Sequence, residues 1–129
     1  MPKSNTAKTV AKLSKSETPL PGKPVKGSES GRPIMAALNL LSRRWVLRIV
    51  WELKDGPCGF REMQARCNQL SPTTLSTRLS ELEEAGIVTH TSDGAWTLTE
   101  LGRNLKPALK ALVIWSDEWA ANIAEDQTP

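Results

Sequence analysis

Apolar side chains recur at helical spacing through most of the chain after residue 31, and they predict three helices before residue 71. The first starts at Pro33, a residue suited to a first helical position. The apolar positions are Ile34, Ala37, Leu38 and Leu41, then Val46, Ile49, Val50 and Leu53, then Phe60, Met63, Cys67 and Leu70. Leu47 and Trp51 widen the second helix, which we therefore expect at the centre of a core.

A fourth helix is predicted from Ser71 to Ala85, in the segment SPTTLSTRLSELEEA. Ser71 is a strong N-cap residue, Pro72 suits the next position, and Gly86 is a typical stop. Three leucines at spacing i, i+4 and i+7 must face the core: Leu75, Leu79 and Leu82.

The side opposite these leucines carries small hydroxyl residues, namely Thr73, Thr77 and Ser80, with Ser76 on the flank. Ser and Thr are mediocre helix formers, so a merely solvated side would more typically carry Lys, Glu or Ala. The composition therefore favours a side that binds something. The far half of the helix carries Glu81, Glu83 and Glu84, which we expect to repel phosphate.

Two β-rich runs around Asp93-Gly94 predict a hairpin with a type I′ turn. A long helix should follow from Thr99 to about Ala124, kinked at Pro107. This helix is apolar on two sides, so we expect one side to pack on its own domain and the other on a second copy. The residues assigned to that dimer interface are Leu38, Leu112, Val113, Trp115, Trp119 and Ile123.

The resulting order is a mainly α fold with a small β-hairpin, a winged helix-turn-helix whose N- and C-terminal helices form a dimer interface. In that motif the second helix of the pair lies in the DNA major groove, and its first residues meet the base edges. We therefore predict double-stranded DNA as the partner. The contacts expected from this helix are Ser71, Pro72, Thr73, Thr74, Ser76, Thr77 and Arg78.

Composition divides the chain into a tail of residues 1–30, a domain of residues 31–125 and a short tail of residues 126–129. The first tail holds six lysines against two glutamates and few large apolar residues. It cannot bury enough surface to offset its ordering entropy, so we expect disorder. A basic arm of this kind either follows phosphates without sequence preference or only aids solubility.

Other chemistry is sparse in the 129 residues. No apolar run is long enough to span a membrane, and no secretory signal opens the chain, which indicates a cytoplasmic protein. Cys58 and Cys67 are typical of small core residues. His90 is the lone histidine and cannot build a metal site or a catalytic triad. We therefore expect no enzyme activity, no cofactor and no metal.

The chain resembles the HxlR-type branch of the MarR-like bacterial transcription regulators. The resemblance rests on Trp45, on Phe60 after the GP turn, on SPTTLSTRLSELEEAGIV, and on LTELGRNLKPAL. It implies a homodimeric winged helix that binds an inverted-repeat operator, with a recognition helix from Ser71 to Ala85 and a wing from His90 to Trp96. The identity of a small-molecule effector cannot be read from the sequence.

The chain departs from the family pattern at the DNA-facing positions. Thr73 and Thr77 stand where the family often has Lys or Gln, and the short wing has Asp93 but no Lys or Arg. Redox-sensing members carry a Cys-Pro pair before the first helix, whereas this chain has Arg32-Pro33, so we expect no such sensor. Further DNA contacts are then expected from Arg43, Arg44, Arg61 and His90. The alternative is a winged helix that binds a protein partner instead.

Overall fold

The computed structural model describes residues 18–127, and within them six helices and one two-stranded hairpin. The mainly α architecture with a hairpin wing is confirmed. The elements, numbered here in chain order, are α1 (Pro33–Leu41), α2 (Val46–Leu53), α3 (Phe60–Arg66), α4 (Pro72–Glu84), β1 (Val88–His90), β2 (Trp96–Leu98), α5 (Glu100–Arg103) and α6 (Lys106–Asp126).

One hydrophobic cluster joins these elements, and α2 lies at its centre as predicted. Four residues of this eight-residue helix are buried: Val46, Ile49, Val50 and Leu53. The three leucines of α4 have no exposed surface and belong to the same cluster, together with Met63 of α3 and Leu98 of β2. The apolar spacing in the sequence therefore identified the buried side of α2, α3 and α4.

Both ends of α4 are closed by the predicted residues. The Ser71 hydroxyl accepts a hydrogen bond from the Thr74 N–H at 3.2 Å, and Pro72 follows at the first helical position. At the other end Gly86 has a φ of 81°, and the Ile87 N–H donates to the Leu82 carbonyl at 2.9 Å. This six-to-one bond is the Schellman termination that a glycine in the left-handed region allows.

The wing pairs Val88 with Leu98 and His90 with Trp96 in antiparallel register. Trp96 also exchanges two 2.9 Å backbone hydrogen bonds with Cys58, which forms an isolated β-bridge beside the hairpin. The predicted type I′ turn is wrong, because Gly94 has a positive φ but Asp93 does not. The Gly94 N–H instead donates to the carbonyl of Thr91, a type I turn closed by a left-handed glycine.

Thr99 and Gly102 fasten the last helices to the end of α4. The Thr99 hydroxyl accepts from the Gly102 N–H at 3.0 Å and donates to the Gly86 carbonyl at 2.6 Å. Gly102 lies so close to Ile87 that a Cβ there would stand 2.2 Å from the Ile87 carbonyl oxygen. Packing thus explains the Thr-Glu-Leu-Gly segment, because the threonine hydroxyl and the glycine both contact the residues that directly follow α4.

The long helix predicted from Thr99 is divided between α5 and α6 rather than kinked. Pro107 has no N–H for the carbonyl of Arg103, and its ring crowds that position, so the helix is interrupted before it. Within α6 only Leu109 is buried, while Leu112, Val113 and Trp115 are all exposed. The expectation that one side of this helix packs on its own domain therefore fails beyond Leu109.

Residues 18–30 are structured, which differs from the disordered tail expected up to residue 30; residues 1–17 of that tail lie outside the described part of the chain, as do 128–129. Thr18 is buried, and the Gly22 N–H donates to the Gly31 carbonyl at 2.9 Å. Asn39 of α1 donates to the Lys26 carbonyl at 3.0 Å. Pro19 and Pro21 line an apolar groove on the domain, and prolines lose little entropy on ordering.

The contact between Gly102 and Ile87 leads to a test of the fold. Gly102→Ala should lower the free energy of unfolding by about 1–3 kcal/mol, because backbone must move to admit the methyl group. Gly59→Ala is the control, since a Cβ at Gly59 meets nothing within 4 Å. Urea unfolding of both variants measures the difference, and equal losses would show that the close approach is not rigid.

Candidate DNA-recognition surface

The outer side of α4 is an exposed surface of small hydroxyl residues, as the leucine spacing required. Thr73, Ser76 and Thr77 are exposed, whereas Leu75 and Leu79 on the other side of the helix are fully buried. Within the described chain, no group hydrogen-bonds the hydroxyls of these three residues. These hydroxyls belong to short side chains on a helix, so they can donate hydrogen bonds to, or accept them from, a molecule that approaches α4.

The hydroxyls of Ser71 and Thr74 are used differently. Ser71 caps the helix and donates its own hydroxyl proton to Thr74 Oγ1 at 3.0 Å. Since Pro72 has no N–H and the Thr74 N–H is capped, Thr73 keeps the free N–H of the first turn. The structure therefore places all the predicted residues of this turn together but separates the capping pair from the open hydroxyls.

A polar groove of about 480 Å³ runs beside the N-terminus of α4. Its walls include Arg44 and Arg78, and the turns before α2 and α4 form the rest. Three residues of those turns have left-handed backbone conformations: Trp45, Asn68 and Gln69, with φ of 76°, 60° and 59°. A non-glycine residue in this region costs about 1–3 kcal/mol, and such conformations cluster at functional sites.

The strained turn before α4 is held by Gln64, a half-buried residue of α3. Its side-chain amide donates to the Leu70 carbonyl at 3.0 Å, while its backbone carbonyl accepts from the Gln69 N–H at 2.8 Å. The turn between the two helices is thereby tied back to the first helix of the pair. This contact fixes where α4 begins.

Glu81 is engaged by two arginines, contrary to the expectation that it only repels phosphate. Its carboxylate oxygens lie 2.6 Å from Arg43 Nη1 and 3.2 Å from Arg78 Nη1. Arg78 also donates from Nε to the Arg44 carbonyl at 2.9 Å. The cation at the edge of the recognition helix is therefore bound to the turn between α1 and α2 rather than extended into solvent.

The other predicted contact residues are spread around α4. The side chain of Arg44 is exposed at the polar groove, and that of Arg61 is exposed on α3. The rings of His90 and Trp96 are in tilted contact, with centroids 3.7 Å apart, and Nδ1 of His90 lies 3.5 Å from a carboxylate oxygen of Glu83. His90 thus joins the base of the wing to the far end of α4.

The predicted dimer residues are all exposed, and they lie on two helices. Leu38 lies on α1, and the remaining five lie on α6, where the indoles of Trp115 and Trp119 stack with centroids 5.4 Å apart. Over residues 18–127 the exposed large apolar side chains are confined to α1, α5 and α6: Ile34, Leu38, Leu101, Leu112, Val113, Ile114, Trp115, Trp119 and Ile123.

The two thiols belong to the core. Burial raises the pKa of Cys58 and of Cys67 above the ordinary thiol value, so both stay protonated and weakly nucleophilic. Across residues 18–127 no group of His, Cys, Asp and Glu side chains is arranged to hold a metal ion. In the same range no helix has the length and apolar character needed to cross a membrane.

Comparison with known proteins agrees with this geometry. The HxlR-like helix-turn-helix family model matches residues 40–124. The HTH-type transcriptional regulator YvaP of Bacillus subtilis (strain 168) is 37% identical over 89 residues, which cover 64% of this chain and 82% of YvaP. The quinone-bound crystal structure of YodB from B. subtilis has 34% identity and a TM-score of 0.63, covering 67% of this chain and 96% of that one.

A MarR-family transcriptional regulator from Enterococcus faecalis V583 has a TM-score of 0.65 at 25% identity, covering 78% of this chain and 97% of that one. The winged helix-turn-helix and these relatives define a DNA-binding transcriptional regulator. The chain belongs to the HxlR-like helix-turn-helix family.

Sequence reasoning missed the roles of Glu81 and Gln64 at this surface. A signal existed for Glu81, because Arg78 and Glu81 are spaced i, i+3 on a helix and such pairs are neighbours. No comparable signal existed for Arg43, which lies 38 residues before Glu81. That contact depends on how the turn between α1 and α2 packs against α4.

The buried thiols lead to a test of redox behaviour. Diamide should leave DNA binding by the parent chain unchanged, because protonated buried thiols react slowly. A Cys58→Ala/Cys67→Ala variant should bind DNA as the parent does, both before and after diamide treatment. Ellman's reagent should label the native parent far more slowly than the parent in guanidinium chloride. A diamide response that disappears in the double variant would show that one thiol is a sensor.

Proposed function

We propose that two copies of the chain bind an inverted-repeat operator, each placing α4 in the major groove and reading bases with Thr73, Ser76 and Thr77. The observation that carries this proposal is the exposed, unpaired hydroxyl side of α4. A threonine hydroxyl donates to or accepts from a base edge, and its methyl group contacts the methyl of thymine. Short side chains also let the helix seat deeply in the groove.

The polar groove beside α4 supplies the sequence-independent part of the binding in this proposal. Arg44 lines it with an exposed side chain, and the Thr73 N–H stands at the positive end of the α4 dipole. A backbone phosphate placed there meets both groups. Arg61 on α3 and His90 at the wing extend the contact surface to either side, while the wing tip with Asp93 contributes little attraction.

The apolar side chains on α1, α5 and α6 support a two-fold homodimer. Monomeric proteins rarely expose apolar surface of this extent. The 21 residues of α6 span about 31 Å at roughly 1.5 Å per residue, and only Leu109 is used by its own domain. An apolar groove of about 300 Å³ between α1 and α5, where Leu101 lies, continues this surface. We assign the partner's α6 to it.

The two-fold arrangement implies the form of the site. Two recognition helices about 34–36 Å apart face successive major grooves on one side of DNA, which requires an inverted repeat. The proposed role involves no catalysis and places the protein in the cytoplasm, where the chromosome lies. The wing without Lys or Arg keeps a protein partner as the alternative, and the next experiment decides between them.

The hydroxyl surface leads to a test of base reading. Thr77→Ala should weaken binding to an operator selected with the parent by about 1–3 kcal/mol, with little change on random duplex, because a base contact carries discrimination. Thr77→Ser keeps the hydroxyl and should recover part of the loss. Fluorescence anisotropy on both duplexes measures this. An equal effect on both, or none, would favour the protein-partner alternative.

The exposed indoles lead to a test of assembly. Trp119→Ala should raise the dimer dissociation constant about 30-fold or more, since a central aromatic anchor is worth about 2 kcal/mol or more. Glu118→Ala, an exposed neighbour on the same helix, serves as the control and should change it little. Sedimentation equilibrium is the measurement. A parent that stays monomeric at micromolar concentration would rule out the homodimer.

A further inference from the structure

Glu81 is the most enclosed carboxylate of α4. Its side chain is 14% exposed, whereas that of Glu83, two positions later, is 45% exposed. Each of its two carboxylate oxygens accepts from a different guanidinium: Oε2 from Arg43 and Oε1 from Arg78. A carboxylate on a helix that approaches DNA is unfavourable by charge alone, so its placement between two cations calls for a physical reason.

Arg78 is held at two points. Its Nη1 donates to Glu81 and its Nε donates to the Arg44 carbonyl, so the guanidinium cannot rotate away from the turn between α1 and α2. Within the described chain its Nη2 has no partner, and Arg78 is one of the walls of the polar groove. The contact therefore leaves donors available at the place where the proposed function puts a phosphate.

An arginine that is already ordered binds at lower entropic cost. Immobilising a long side chain during association costs rotamer entropy, and Glu81 lowers this cost by holding Arg43 and Arg78 before DNA is bound. Isolated surface ion pairs contribute little to stability, so folding alone is a weak reason for this pair. Ordering two cations beside the recognition helix is a stronger reason for Glu81 to be at this position.

We propose that Glu81 is a positioning residue: it holds Arg43 and Arg78 toward the DNA backbone at the edge where α4 meets the turn between α1 and α2. The inference rests on the proposed DNA binding and specifies which residue sets up the phosphate contacts. Glu81 touches no DNA in this arrangement. Its negative charge is already offset by the two guanidiniums, so its removal takes away the carboxylate that both of them share rather than relieving repulsion.

Charge and positioning predict opposite signs for one substitution. If Glu81 merely repels phosphate, Glu81→Gln should strengthen binding to every duplex, since the chain gains one positive charge. If Glu81 positions the arginines, Glu81→Gln should weaken operator binding about tenfold despite that gain. Glu84→Gln is the matched control, because Glu84 is exposed on the same helix and its substitution changes the net charge equally. It should strengthen binding slightly or leave it unchanged.

The experiment is fluorescence anisotropy of the parent, Glu81→Gln and Glu84→Gln on the selected operator and on random duplex, at several salt concentrations. In a background of Arg43→Gln/Arg78→Gln, Glu81→Gln should cost nothing further, a result that a merely structural role would not produce. Thermal unfolding checks that each variant is folded. Arg78→Lys keeps the charge but loses the Nε donor, and it should weaken operator binding even if Glu81→Gln is unstable.

Each outcome decides the inference. Tighter binding by Glu81→Gln, matching Glu84→Gln, would overturn it while leaving the proposed function intact, as would an undiminished effect of Glu81→Gln in the double-arginine background. A parent that shows no preference for any selected duplex would overturn the proposed function, and the inference with it. Weaker operator binding by both Glu81→Gln and Arg78→Lys, with Glu84→Gln unaffected, supports it.

Discussion

The burial of three leucines of α4 is the constraint on which the rest of the structure depends. Leu75, Leu79 and Leu82 have no exposed surface, and burying a leucine side chain contributes about 1.5–3 kcal/mol. An exposed ion pair on the helix contributes less than the burial of these leucines, since such pairs are worth about 0–1 kcal/mol. The leucines therefore set the rotation of α4 about its axis, and this rotation decides which residues face outward.

The rest of the domain holds that helix at its two ends and along one edge. The Ser71 cap and the turn tied by Gln64 fix its beginning, while the junction of Gly86 with Thr99 fixes its end. Glu81 adds a lateral attachment to the turn between α1 and α2. A reading helix needs this rigidity, because a base contact discriminates only when its donor and acceptor positions are reproducible.

In the proposed function, assembly and DNA reading use separate surfaces of the molecule. Beyond Leu109 the large apolar side chains of α6 are exposed, whereas the exposed hydroxyl residues lie on α4. The two surfaces are connected through α5, whose Gly102 packs against Ile87 directly after α4. A change in how two copies pack would therefore move the two recognition helices relative to each other.

The sequence by itself determined the helices, the buried sides of α2, α3 and α4, the ends of α4 and the hydroxyl surface, because these depend on local spacing, capping and turn chemistry. It also predicted the hairpin, but not that Asp93 keeps a negative φ in its turn. It did not determine the buried side of α1, where Ala36 and Leu40 are buried and Ile34 and Leu38 are exposed. It did not reveal that residues 18–30 pack on α1, since that depends on contacts between separate segments, such as the hydrogen bond from Asn39 to the Lys26 carbonyl.

Only the tertiary structure decided that Arg43 and Arg78 share Glu81, that α6 leaves the core after Leu109, and that the strained turns meet at one groove. The contact of Arg43 with Glu81 and the meeting of the turns at the groove both join residues far apart in the chain. Their distance is set by how the helices pack, and that packing has no periodic signature in a single sequence.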